Sequence, residues 1–219
     1  MPALPKTGAR GRRLRIEFVL FYVVTPVVTA CLLPPEGLLA GLFLFMLVGL
    51  GLLSATPGFR WRELTRGWRA IRWLAVAGLA ALTFVSSLAV MQVMAPQSMF
   101  SLLDHPERLL LIAVLYPLLS ALPQEVVFRA LYFRRYRGLV PKGHRGVVLN
   151  AALFALAHLM YWSGIVVAMT FVGGLAFAWA HAVRRSFPMA WVMHSVAGVI
   201  VFIAGLGIYF YAGNVVRPF

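Results

Sequence analysis

Two ionisable side chains, Glu125 and Arg129, lie deep inside an apolar stretch of the sequence. They are four residues apart, so they share one face of a helix and can form an ion pair. A charge in an apolar medium is costly unless it is paired, and an intramembrane ionisable residue is for that reason a candidate functional residue. A purely structural ion pair that fixes this helix is the alternative interpretation.

Two histidines, His158 and His194, also fall within apolar stretches. Either one alone is more often a buried, hydrogen-bonded packing residue. Together with Glu125 they could do chemistry, because a carboxylate can take a proton from water while imidazoles position that water and stabilise an oxyanion. The trio predicts hydrolysis of a peptide bond. The same three side chains could instead hold a zinc ion with an open coordination position, although no HExxH motif is present.

The composition indicates that lipid surrounds most of the chain. Its 219 residues are 62% hydrophobic and only 12% charged, with a mean hydropathy of +0.87. A soluble domain carries about twice that charged fraction. We therefore predict an all-α integral membrane protein of about seven transmembrane helices. The apolar segments run over residues 16–33, 37–54, 71–94, 108–133, 146–161, 163–182 and 188–212.

The basic residues predict the topology. The net charge is +14, and 17 of the 20 Lys and Arg residues lie in segments 1–15, 55–73, 134–145 and 183–187. The positive-inside rule places these segments in the cytoplasm, with the N-terminus inside and the C-terminus outside, as an odd number of spans requires. We expect a multi-pass protein of the cell membrane whose basic loops contact anionic lipids. No motif supports binding of nucleic acid.

Three further features bear on the fourth apolar segment and on the chemistry available. Pro117 and Pro123 are predicted to break or bend this helix just before Glu125 and to free backbone carbonyls there. Counting at ~1.5 Å per residue from the cytoplasmic helix ends gives Glu125 and His194 similar depths, with His158 deeper. The single cysteine, Cys31, excludes an intrachain disulfide and a thiolate metal cluster.

Three motifs resemble those of the CAAX-prenyl-protease and bacteriocin-processing (CPBP, ABI-domain) family of intramembrane proteases. That family carries Glu-Glu-x-x-x-Arg, Phe-x-x-x-His and His-x-x-x-Asn/Asp. Here the corresponding stretches are residues 124–129 (QEVVFR), 154–158 (FALAH) and 194–198 (HSVAG). The resemblance covers roughly residues 116–211, and the motifs occur in the family's order.

The resemblance implies a helical bundle with a cavity open toward the cytoplasm. It also implies an endopeptidase that cleaves a membrane-embedded or lipidated protein or peptide. The chain then divides into a basic cytoplasmic tail, 1–15, and a polytopic membrane domain, 16–213, with a protease-like core at about 106–211. The predicted site residues are Glu125, His158, His194, Gln124 and Arg129 for catalysis, with Asn150 and Phe154 as substrate contacts. Family members are described both as zinc enzymes and as metal-independent glutamate proteases, so no cofactor is assigned.

Two positions depart from the family pattern. Gln124 stands where the family has the glutamate that activates water, and an amide cannot act as a base. Gly198 stands where an amide or carboxylate would help to hold the oxyanion. Either Glu125 takes over as the base, or the chain is an inactive relative that acts as a membrane binding or immunity protein. A transporter with Glu125 as proton carrier is a third reading, although the two halves show no repeat.

Overall fold

The computed structural model describes residues 8–215, and every regular element within that range is helical, with no β-strand. Seven helical segments form the bundle, and we number them α1 to α7. They are α1 (Ala9–Leu32), α2 (Leu38–Ser54), α3 (Trp73–Met94), α4 (Pro106–Arg135), α5 (His144–Ala157), α6 (Gly164–Ala182) and α7 (Phe187–Ile203). Short 3₁₀ turns fill most of the connections between them.

The seven helices coincide with the seven apolar segments predicted from the sequence, but three ends differ by four residues or more, including the end of α5 at Ala157 instead of 161. The first helix begins at Ala9, well before residue 16, so part of the predicted basic tail is helical. Leu and Arg are good helix formers, which lets the helix extend past its apolar part. The portion of the tail before Gly8 lies outside the described residues. The last helix ends at Ile203, short of residue 212, because Gly205 adopts a φ of 92° that ends it.

The surface of the bundle is apolar. Leu74, Val93 and Leu110 are 88%, 79% and 66% exposed, and many other large aliphatic side chains are exposed with them. So much exposed aliphatic surface suits lipid rather than water. By length and composition, α1, α3, α4 and α6 can cross a membrane, while α2 and α7 are shorter apolar helices. The chain is therefore an all-α membrane protein.

Helix α4 is held by side chains from three other helices. It stays helical through Pro117 and Pro123, so the predicted break does not occur, and it widens into π-helical turns at Pro117–Ala121 and Val126–Leu131. Its carbonyls accept hydrogen bonds from outside: Tyr22 Oη donates to Val127 O (2.8 Å), Asn150 Nδ2 to Phe128 O (2.6 Å) and Trp191 Nε1 to Pro117 O (2.8 Å). These three bonds hold α4 in position against α1, α5 and α7.

The start of α7 is fixed by Ser186. Its hydroxyl oxygen accepts a hydrogen bond from the Met189 amide (3.0 Å), which caps the helix, and the hydroxyl donates to Gly67 O (2.8 Å). Gly67 has a φ of +95°, and a Cβ there would lie 2.8 Å from Ser186. Only glycine fits this crossing, so the 55–72 connection is tied to the beginning of α7.

One end of the bundle gathers basic residues around two acidic partners. Arg135 forms an ion pair with Glu17, whose carboxylate also accepts a 2.6 Å hydrogen bond from Tyr136 Oη. Arg134 lies 3.4 Å from Glu63. These contacts join the start of α1, the 55–72 connection and the end of α4 at one end of the molecule.

Helices α5 and α6 pack closely at a glycine of α6. A Cβ on Gly174 would lie 3.1 Å from the Cα of Ala151. The absence of a side chain at Gly174 therefore lets the two backbones approach, as small residues do in membrane helix pairs. This contact brings the end of α5, with its histidine, against the bundle.

Candidate active site

A cavity of about 510 Å³ lies between α3, α4, α6 and α7. Most of its wall is apolar, which suits an apolar or membrane-embedded ligand. The polar side chains in the wall come chiefly from the residues singled out in the sequence and from α4. They include Tyr116, Ser120, Gln124, His158, Tyr161 and His194.

Glu125 is fully buried and does not belong to the cavity wall. One carboxylate oxygen, Oε1, lies 2.9 Å from His194 Nδ1, and the other, Oε2, lies 3.3 Å from Arg129 Nε. Oε1 is therefore hydrogen-bonded, whereas Oε2 faces the Arg129 guanidinium in an ion pair without a hydrogen bond. The carboxylate stands behind His194 as seen from the cavity.

His194 lies between Glu125 and the cavity. Its ring stacks on Phe177, with centroids 4.6 Å apart and planes at 11°, and meets Phe154 edge-on at 5.6 Å. An ionised carboxylate only accepts hydrogen bonds, so Nδ1 carries the hydrogen and Nε2 is left with a free lone pair. The contacts hold the ring so that Nε2 is the nitrogen available to the cavity.

His158 lines the same cavity from the end of α5. The sequence placed it inside a span, whereas it is the residue that follows Ala157, the last residue of the helix. Its Nδ1 donates to Phe154 O over 2.8 Å, because a carbonyl can only accept, and its Nε2 is therefore also an acceptor. The ring lies 4.5 Å from Phe154 and stacks near Tyr161 at 6.1 Å.

The structure brings the predicted trio together through one direct contact and one shared cavity. Glu125 and His194 are in direct contact, and His194 and His158 line one cavity with the Phe154 ring between them. Phe154, predicted as a substrate contact, also lines the cavity. Asn150 does not: it is fully buried and its amide is used on Phe128 O. Asn150 therefore joins α5 to α4 and does not line the cavity.

Arg129 is a buried cation enclosed by aromatic rings. It is 0% exposed, and its guanidinium carbon lies 4.5 Å from the Phe154 ring centroid and 5.5 Å from that of Phe177. Such cation–π contacts, together with the Glu125 carboxylate, offset the cost of burial. Arg129 does not line the cavity, so it acts on the site through Glu125 and the two rings.

A polar row on α4 adds two residues, Tyr116 and Ser120, to Gln124, which the sequence analysis had already singled out. Tyr116, Ser120 and Gln124 follow each other at four-residue spacing and all line the cavity. The Gln124 amide donates to Ser120 Oγ over 3.0 Å, and its Oε1 has no hydrogen-bond partner. The spacing itself was a signal, because residues i and i+4 share a helix face.

Gly198 leaves the space that Tyr116 fills. A Cβ on Gly198 would lie 2.1 to 2.3 Å from the Cε1, Cζ and Oη atoms of Tyr116. No side chain fits at position 198 while Tyr116 is in place. The departure from the family motif at Gly198, on α7, is therefore coupled to Tyr116 on α4.

Gly198→Ala is expected to destabilise the protein, because the new methyl group overlaps the Tyr116 ring. Overpacking of this kind costs about 1–3 kcal/mol. Thermal unfolding in detergent measures the loss. In a Tyr116→Ala background, where the ring is absent, Gly198→Ala should cause almost no further loss. A Gly198→Ala variant as stable as the wild type would contradict the packing described here.

No group of three or more His, Cys, Asp or Glu side chains that could hold a metal forms within residues 8–215. The two histidines that line the cavity each present one nitrogen, since Glu125 and Phe154 O occupy the others. Two imidazole nitrogens are fewer than the three protein ligands typical of catalytic zinc.

The fold and the site define a helical membrane protein with an enclosed carboxylate–histidine pair. Residues 106–200, from the start of α4 to within α7, match the family described as type II CAAX prenyl endopeptidase Rce1-like. This stretch carries all three motifs, and its match to a family of CAAX-type proteases supports CPBP family membership and confirms the resemblance drawn from the motifs. No curated protein and no solved structure matches the chain.

Proposed function

We propose that the protein is an intramembrane endopeptidase that hydrolyses a peptide bond in a membrane-associated protein or peptide. The observation that carries the proposal is the Glu125–His194 pair, 2.9 Å apart and buried behind a cavity that His158 also lines. A histidine oriented by a buried carboxylate is a recurring arrangement for general-base catalysis. The match of residues 106–200 to a protease family supports the same reading.

In the proposed reaction, His194 is the base that touches the water. Its Nε2 takes a proton from water as the water oxygen attacks the carbonyl carbon of the scissile bond. Glu125 stabilises the resulting imidazolium through Nδ1–H, and Arg129 keeps the carboxylate ionised and in place. His194 then returns the proton to the amide nitrogen, and the carbon–nitrogen bond breaks. His158 Nε2 accepts a hydrogen bond from the same water and holds it in line.

This assignment modifies the role expected for Glu125. From the sequence, Glu125 was predicted to activate the water directly, whereas both of its oxygens have protein partners. We propose that it acts through His194 as a positioning residue. Gln124, which lines the cavity, is proposed to contact the substrate through its free amide oxygen.

We also propose the seven-span topology with a cytoplasmic N-terminus and an external C-terminus, in the cell membrane. Its support is the contact of basic segments with each other at one end of the bundle. The Arg135–Glu17 and Arg134–Glu63 pairs and the Ser186–Gly67 hydrogen bond connect three of them with each other and with Glu17, two residues after the fourth. Basic residues that share one end are those expected to face the cytoplasm and anionic lipids.

The test is cleavage of a quenched-fluorescence peptide with a farnesylated CAAX end by the purified protein in liposomes. Wild type should cleave it, and His194→Ala and His158→Ala should each abolish detectable turnover. Equal turnover in all three proteins would overturn the proposal. Zinc remains a further proposal, with the two cavity imidazoles as its donors, and metal analysis by mass spectrometry before and after chelation tests it.

An inactive binding or immunity protein is the second candidate, and the departures at Gln124 and Gly198 favour it. Gln124→Glu separates the two, because it places a carboxylate in the cavity wall at a position suited to activate water. If the wild type is inert and Gln124→Glu cleaves the peptide, the chain is an inactive relative. If the wild type cleaves, we expect Gln124→Glu to leave His194 essential.

A further inference from the structure

The two histidines offer the cavity hydrogen-bond acceptors and no donor. His194 and His158 both use Nδ1–H on protein oxygens, so each neutral ring offers the cavity a lone pair at Nε2. A tetrahedral intermediate needs the opposite, a hydrogen-bond donor aimed at its oxyanion. The donor must therefore come from another side chain in the wall.

Tyr116 supplies a hydroxyl at the right place. Its ring lies 6.1 Å from the His194 ring, packed against Gly198 one helical turn further along α7. Its Oη fills the space that a side chain at Gly198 would occupy, and the residue lines the cavity. Ser120 and Tyr161 line the same cavity, so the phenol lies within its polar part.

Resting on the proposed function, we propose that Tyr116 is a further catalytic residue whose hydroxyl donates a hydrogen bond to the oxyanion. Gly198 is glycine because the phenol stands where its side chain would be. Ser120, the next residue of the polar row, accepts a hydrogen bond from the Gln124 amide. The site thus carries its donor on α4 rather than on α7.

Tyr116→Phe tests the proposal, since it removes one oxygen and keeps the ring that fills the space at Gly198. We expect kcat for the farnesylated CAAX peptide to fall about 10²–10³-fold, as when one oxyanion donor is lost, with KM close to wild type. Melting in detergent should be unchanged. Tyr211→Phe is the matched control, because Tyr211 is 61% exposed and outside the cavity wall, and it should cleave like wild type.

A second pair of variants supplies a rescue. Tyr116→Ala should be slow, and Tyr116→Ala with Gly198→Asn should regain about tenfold or more in kcat, because an amide then enters the vacated space. If the wild type cleaves the peptide and Tyr116→Phe cleaves it equally fast, the inference is overturned and the proposed function stands. A wild type that cleaves no more than His194→Ala would overturn both.

Discussion

Replacement of Glu125 by glutamine is expected to lower kcat by about 10³–10⁴-fold with little change in KM. The amide cannot stabilise the imidazolium that forms when His194 takes a proton. It can also donate to Nδ1, which would turn the ring into the wrong tautomer. Steady-state kinetics on the CAAX peptide in liposomes gives both constants.

The loss must be separated from misfolding, because Glu125→Gln also leaves Arg129 unpaired. The double variant Glu125→Gln with Arg129→Met removes both charges and should melt near the wild type while remaining inactive. Adding Glu125→Gln to His194→Ala should cost almost nothing further, since residues that act as a unit are non-additive. Additive losses would contradict a carboxylate that works through His194.

Arg129→Met is expected to reduce the free energy of unfolding by about 3–5 kcal/mol. Methionine keeps much of the packing against Phe154 and Phe177, but it removes the cation that faces Glu125 at 3.3 Å. A fully buried carboxylate then retains only His194 as a partner. Unfolding in mixed micelles with increasing denaturing detergent measures the change.

Arg108→Met is the matched control for this loss. Arg108 also lies against a glutamate, Glu107, but both side chains are about two-thirds exposed, at 67% and 68%. Exposed or half-exposed ion pairs contribute little, so its loss should be much smaller. Equal destabilisation by the two variants would contradict a special cost at the buried pair.

The helices were largely predictable because apolar runs of about 20 residues are dictated by the bilayer. Their ends were less so where lipid does not decide them. The charged turn that precedes residue 16 is helical by local propensity, and Gly205 ends α7 through its backbone conformation. Neither effect changes the hydropathy that marked the segments.

The site was predictable where spacing along one helix decides it, as for Glu125 and Arg129. The role of Glu125 was not, because only the packing of α4 against α7 shows that the carboxylate is hydrogen-bonded to His194 and buried behind it. Tyr116 was missed for the same reason. The glycine at position 198 can be explained only from the structure, in which the Tyr116 ring occupies the space of a side chain there.

The three hydrogen bonds to the carbonyls of α4 limit how far the chain can be truncated. Two of the donors, Asn150 and Trp191, lie within the family-matched stretch, but Tyr22 precedes it on α1. A fragment that starts at residue 106 would lack the bond to Val127, two residues after Glu125. Helix α1 is therefore a structural part of the site and not only a membrane anchor. A separate peptide with the α1 sequence should complement the truncated core.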